Sequence, residues 1–270
     1  MPGSGSEAAP PAVVHLDLDG ARHIYALHGW PYPHKHDFLF ETGLKQALAL
    51  FRDTGVRATL FAIAEDLDDP CKRELIEEAV RQGHEIASHT VTHRRLGRLS
   101  AEEKRREIFE SKERLETGLK QEIRGFRAPW FDIDRESFDL IRAAGYTYDS
   151  STFAGSPGAP GILELPLPSY RPLPFPFHPS YSLVLGSWYF RLGLKRYRRT
   201  GAPLVLLFHL ADLEPLPYRN LSGWRARIYA QPHTDRESRM RTCREMLDLV
   251  RREYHVVETR ALECEMTRAK

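Results

Sequence analysis

Short apolar runs recur along this chain, and most are followed by a stretch in which apolar positions return every three or four residues. Val13–Leu18 (VVHLDL), Arg57–Ala64 (RATLFAIA), His84–Ser88 and Glu122–Arg127 read as buried strands. So do Tyr146–Asp149, Gly161–Leu165, Pro203–Leu210 (PLVLLFHL) and Tyr254–Thr259. Between them, Glu41–Thr54 sets Leu44, Ala47, Leu48 and Phe51 on one helical face and stops at Gly55. Pro70–Gln82 closes at Gly83, and Asp134–Ala144 closes at Gly145. Ser100 with Glu103 forms a capping-box start for a helix to Thr117, whose dense charge reads as a solvated face. A last helix spans Thr234–Glu253. Strands alternating with helices predict parallel βαβ units, and about eight strands in this length suit a (β/α) barrel better than an open sheet.

Two segments break the alternation. Ala21–Phe40 carries His23, His28, His34 and His36 among Trp30, Pro31 and Pro33, and reads as an irregular loop over one end of the fold. No regular spacing there supports a second metal site. Gly155–Tyr189 holds eight prolines together with Phe175, Phe177, Tyr181, Trp188 and Tyr189, and a helix is expected from Ser187. It follows a strand that would end on the active face of a barrel, so it is expected to wall a substrate cleft to which the aromatic rings would offer flat apolar faces. Its aromatics would serve equally as a plug for the barrel end.

Composition narrows the class. The 270 residues divide into a disordered lead (1–12), one barrel domain (13–262) and a tail (263–270). A formal charge of only +2 gives no case for a nucleic-acid partner. The longest apolar run, Ala202–Leu207, is too short to cross a bilayer, although peripheral contact with a lipid-linked substrate stays open. The first residues lack the charged lead and apolar core of a secretory signal. Cys71, Cys243 and Cys264 are odd in number and far apart, which fits reduced thiols. A cytoplasmic protein is expected.

The chemistry gathers around HEIASHTVTH, residues 84–93. On a helical turn His89 and His93, four apart, would present both imidazoles to one metal ion, while His84 lies inside the preceding strand as a structural residue. With 12 histidines in the chain, such a pair alone says little. Other polar residues fall at strand ends too: Asp17 and Asp19 in DLDG, Arg127 in RAPW, Asp149 in YDSS and His209 in LFH. In a parallel barrel those ends share the face where active sites form. Of two carboxylates two residues apart, one suits a metal and the other a proton; a plain Asp-Gly turn is the competing account.

DLDG, SHTVTH, RAPW, YDSS, LELP and LFH, in this order and spacing, resemble the motifs of the polysaccharide deacetylases, carbohydrate esterase family four, over roughly residues 13–260. The resemblance implies a distorted (β/α) barrel of seven to eight strands and a hydrolase of non-peptide carbon–nitrogen bonds that removes the N-acetyl group from an amino sugar. It implies Asp19, His89 and His93 as ligands of one divalent ion, zinc by default, with cobalt, nickel or iron also accepted by such ligands. Asp17 would be the general base, Arg127 its orienting partner and His209 the general acid, with Asp149 carried over as the aspartate that steadies the acid. Pro129 and Trp130 would line the sugar cleft, a backbone N–H near Trp130 would meet the oxyanion, and Leu207 would wall the acyl methyl. For Arg127 a surface ion pair is the alternative, for Asp149 a turn cap, and for Trp130 and Leu207 plain core packing. The commonest first motif has adjacent aspartates, whereas here Leu18 separates them, a form similar to subgroups acting on lipid-linked or formylated sugars and peptidoglycan. A deformylase or cyclic-amide hydrolase on the same scaffold, and a non-catalytic sugar-binding domain, are the competing functions.

Overall fold

The computed structural model describes residues 9–156, 161–170, 175–177, 179–216 and 235–268. Its main sheet contains β1 (Pro11–Asp17), β2 (Thr59–Ala62), β3 (Glu85–Ser88), β4 (Gly125–Phe126), β5 (Tyr148–Asp149) and β6 (Leu163–Glu164). The segments Ser169–Tyr170 (β7) and Phe175–Pro176 (β8) pair as a separate antiparallel ribbon. The strands β9 (Leu204–His209) and β10 (His255–Val256) complete the set. Neighbours run β9–β1–β2–β3–β4–β5–β6, all parallel, with β10 paired to the start of β1. All eight strands expected from the sequence are therefore in this sheet, most of them shorter than expected.

Alternation along the strands makes two apolar layers. Val14, Leu16, Leu206 and Phe208 pack outward with Leu44, Phe51, Ile76 and Ile108 from the covering helices. Val13, Phe61, Ala87, Tyr148, Leu163, Val205 and Leu207 form a second cluster. That cluster joins β6 to β9, the two ends of the sheet path, so the sheet curls round on itself as a distorted, incompletely closed barrel. Tyr148 needs room inside: a Cβ on Gly125 would lie 2.1 Å from its ring.

The covering helices are α1 (Ala21–Leu27), α2 (Phe38–Thr54), α3 (Pro70–Arg81), α4 (Ala101–Leu119), α5 (Arg135–Ala143), α6 (Pro179–Leu185) and α7 (Ser187–Arg198). A one-turn α8 (Leu210–Leu213), then α9 (Arg236–Glu253) and α10 (Thr259–Arg268), follow. The Ser100–Glu103 capping box is present, and Asp37, Asp69, Asp134 and Asp235 cap α2, α3, α5 and α9, each such cap contributing about 1 kcal/mol.

Several expectations need correction. The first strand begins at Pro11, inside the expected lead, where a strand's first position tolerates proline; residues 1–8 lie outside the described residues. Ala21–Leu27 is helical rather than loop, because Asp37 Oδ1 accepts the Ala21 N–H at 2.9 Å and so caps α1 as well as α2. The expected tail is helical through Arg268, with Glu263 buried and paired to Arg124. In α4, Lys104 and Glu107 are buried, so its charge is not all solvated face. Among the described residues no helix is long and apolar enough to cross a membrane.

Candidate active site

Three motifs meet at the carboxyl ends of β1 and β3. Asp19, just past β1, places Oδ1 3.3 Å from His89 Nε2 and 3.2 Å from His93 Nε2. The three ligand atoms lie within 4.8 Å of one another. A tetrahedral zinc site with bonds of about 2.0–2.1 Å separates its ligands by roughly 3.3 Å, which the two Asp19–histidine separations match. Asp19 Oδ1 and His93 Nε2 are also buried without a hydrogen-bond partner, a cost that a bound cation would remove. Burial opposes ionisation of Asp19, but His93 and His89 together hold its carboxyl well below the usual range. The Arg127 carbonyl lies 2.8 Å from His89 Nδ1 and accepts its proton, leaving Nε2 to face the cradle as a lone pair.

The histidines do not ride on a helical turn. Residues 89–95 have no regular structure, and Thr90 and His93 have φ of 69° and 59°. A β-branched residue there costs on the order of 1–2 kcal/mol. Glu107 of α4 holds the loop in place by accepting the N–H groups of Val91 and Thr92, each at 2.9 Å, and the Thr92 hydroxyl. Thr90 Oγ1 accepts the His93 N–H at 3.1 Å.

Asp17 closes β1 beside this cradle. Its Oδ1 accepts from Arg127 Nη1 at 2.5 Å, and its Oδ2 stands 3.7 Å from His209 Nε2. Arg127 is fully buried, not a surface residue, and its Nε donates to the Ser150 carbonyl at 2.9 Å. His209 ends β9, with Nδ1 3.6 Å from Asp212 Oδ2 and 3.2 Å from Ser180 Oγ of α6. Asp212 also accepts the His209 N–H at 2.8 Å. Burial would lower the imidazole's pKa, but Asp212, then Asp17 and Asp19, raise it to about 9.

Asp149 stands elsewhere. Its two oxygens accept the Ser151 N–H at 2.8 Å and the Ser151 hydroxyl at 2.7 Å, and burial together with the neighbouring Glu164 carboxyl pushes its pKa up. Ser151 Oγ in turn accepts the Ala128 N–H at 2.8 Å. Asp149 is thus a turn cap that fixes the RAPW loop, and the aspartate beside the His209 ring is Asp212 instead. Only a carboxylate three residues on within a helical turn could have pointed to Asp212 beforehand. Pro129 is buried, while Trp130, with φ of 65°, is half-buried with its ring 6.3 Å from that of His93. Leu207 is fully buried in the interior cluster. Phe177 is buried against Phe190 and Tyr197, a packing position rather than a sugar platform.

The sequence sets His23 among four histidines of an expected irregular loop, and the structure places it beside the site. Buried on α1, it has Nε2 3.2 Å from Glu65 Oε1 and its ring 5.4 Å from that of His93.

The carboxyl ends of the strands thus gather three side chains able to hold a cation, Asp19, His89 and His93, flanked by the Asp17–Arg127 pair and the His209–Asp212 pair. The family model described as polysaccharide deacetylase matches residues 21–148 of this chain. It is 28% identical over 133 residues to a chitooligosaccharide deacetylase of Sinorhizobium fredii (strain NBRC 101917 / NGR234), a match that spans 47% of this chain and 60% of that relative's length. A crystal structure of a putative polysaccharide deacetylase from Mycobacterium smegmatis shares the fold with TM-score 0.70 at 19% identity, covering 99% of this chain and 93% of the other. Puue allantoinase matches with TM-score 0.64 at 17% identity, covering 97% and 94%.

Proposed function

We propose that this protein is a metal-dependent amide hydrolase that removes the N-acetyl group from an amino sugar. The observation that carries the reading is the cradle of Asp19, His89 and His93, with two buried unpartnered ligand atoms, set between Asp17–Arg127 and His209–Asp212. A divalent ion held there, zinc by default and cobalt, nickel or iron by the same ligand chemistry, would supply Lewis-acid polarisation of the acyl carbonyl and a water of lowered pKa.

The side chains supply the rest. With Oδ1 fixed by Arg127, Asp17 keeps Oδ2 turned toward the reacting centre, where it takes the proton of the attacking water. His209, protonated at neutral pH by its acidic neighbours, donates to the departing amine nitrogen, a poor leaving group unless protonated. A backbone N–H near Trp130 is the expected second donor to the oxyanion. The likeness to a chitooligosaccharide deacetylase supports an N-acetylated sugar as substrate. Three free cysteines, two of them exposed, support work in a reducing compartment, the cytoplasm.

The deciding experiment offers the zinc-loaded protein a panel of N-acetyl and N-formyl amino sugars and cyclic amides, and measures acetate, formate and ring-opened product. Acetate release that disappears in Asp17→Asn supports the reading. Formate or ring-opened product in its place, or no turnover of any amide by metal-loaded protein, rejects it.

A further inference from the structure

Large apolar side chains that stay exposed are few on the described surface, and they gather in one place. Val184, Leu185, Trp188 and Leu192 are 47, 45, 60 and 45% exposed, and among the described residues only Phe38 is comparably open. They lie on α6 and α7, which meet at Gly186, whose φ of 95° suits glycine alone. The inward face of α7 is complete: Tyr189, Phe190, Gly193, Leu194 and Tyr197 are buried, and Gly193 lets the Phe177 ring approach where a Cβ would lie 2.4 Å from it. The outward side of α7 and its C-cap carries Trp188, Arg191 with Leu192, Lys195 and Arg199, positions that return every three or four residues.

Two features separate this face from ordinary surface. Residues 179–202 contain no aspartate or glutamate. Among the described residues Arg191, Lys195 and Arg199 have no carboxylate partner, although ion pairs are frequent elsewhere on this protein. Cations in the last turn of a helix are explained by the macrodipole. That explanation covers Lys195, but not Arg191 beside Trp188, and not the apolar residues. Exposed apolar side chains interleaved with unpaired cations complement a surface that is apolar below and anionic above. A second copy of this chain does not fit, because a two-fold interface would set the same cations against themselves.

We propose that the outward face of α6 and α7 seats on an anionic phospholipid bilayer. Trp188, Leu192, Val184 and Leu185 enter the interfacial layer, and Arg191, Lys195 and Arg199 meet headgroup phosphates. The face adjoins the candidate active site: Ser180, in the first turn of α6, contacts His209, and Val184 and Leu185 follow about 6–8 Å further along the helix axis. Docking would therefore bring the mouth of the site to headgroup level. It is a peripheral contact, and it does not depend on the hydrolase reading.

Vesicle flotation tests it with full-length protein at low salt. Vesicles of phosphatidylglycerol and phosphatidylcholine in equal parts should carry the wild type, and pure phosphatidylcholine should carry far less. Replacing all three cations (Arg191→Gln, Lys195→Gln and Arg199→Gln together) should weaken binding on the order of 100-fold. The pair Trp188→Gln and Leu192→Gln should also weaken it, with melting temperature unchanged because these side chains face outward. Asp17→Asn, inactive under the proposed function, should float like the wild type, which separates this inference from that one. Hydrogen exchange on the wild type, which needs no variant, should slow in 184–192 when anionic vesicles are added. Failure of the wild type to float, binding unaffected by the cation changes, or a dimer in sedimentation that Trp188→Gln dissolves would each overturn the proposal.

Discussion

Arg127 donates through Nη2 to His15 Nδ1 at 2.7 Å, and both side chains are fully buried beneath Asp17. Burial first, and Arg127 second, push the His15 pKa well below its ordinary value, so the ring is neutral and can accept. Its Nε2–H then donates to Thr259 Oγ1 at 3.1 Å, and that hydroxyl lies 2.7 Å from Thr59, which reaches Glu85 at 3.1 Å. The guanidinium is thereby fixed from the barrel interior as well as by Asp17.

His15→Phe should therefore lower kcat about 10- to 100-fold, through misplacement of Asp17. Metal content should be unchanged, and His15→Gln, which restores an acceptor, should recover part of the loss. A fall in melting temperature with normal kcat in the folded fraction would make His15 a packing residue only.

The two aspartates of DLDG should separate cleanly. Asp17→Asn should keep the metal and lose about 10²–10⁴-fold in rate, because an amide takes no proton from water. His209→Ala should behave likewise, while Asp19→Ala with His89→Ala should strip the metal. Elemental analysis beside steady-state rates decides, and metal loss in Asp17→Asn but not in Asp19→Asn would reverse the assignment.

Asp212 should set the alkaline limb of the rate profile. Activity needs protonated His209, so kcat/KM should fall as pH rises through about 9. Metal on Asp19 would offset part of that carboxylate's contribution and bring the limb lower. Asp212→Asn should move the limb further down in pH, whereas Asp149→Asn should leave it in place. The same raised pKa makes His209 stabilising below its unfolded value, about 6.5, with that contribution lost as pH rises through about 9. Limbs that coincide in wild type and Asp212→Asn would exclude this role.

Asp149 should instead govern stability. Burial first, and Glu164 second, raise its pKa well above the ordinary value, and burial raises that of Glu164 too. A raised carboxyl pKa favours the fold below the unfolded value, and that contribution is lost as pH rises through the folded one. Thermal melts of the wild type should therefore lose stability from acid toward neutral pH at this pair, and Asp149→Asn should flatten that dependence. Parallel melting curves for the two proteins would refute it.

The sequence by itself determined the layout. Apolar runs marked the eight strands of the main sheet, Gly55, Gly83, Gly145 and the Ser100 capping box marked four helix ends, and strand-end polar residues marked one face, because backbone geometry and local spacing settle such features. Only the tertiary structure decided the partners. His89 and His93 converge through left-handed loop residues held by Glu107, not through a helical turn. The ring of His209 is flanked by Asp212 rather than Asp149. His15, read as one more strand residue, proved to hold Arg127. Helix α1 exists because Asp37, remote in sequence, caps it. Each of these depends on where a side chain from another segment arrives, and hydrophobic periodicity carries no information about that distance.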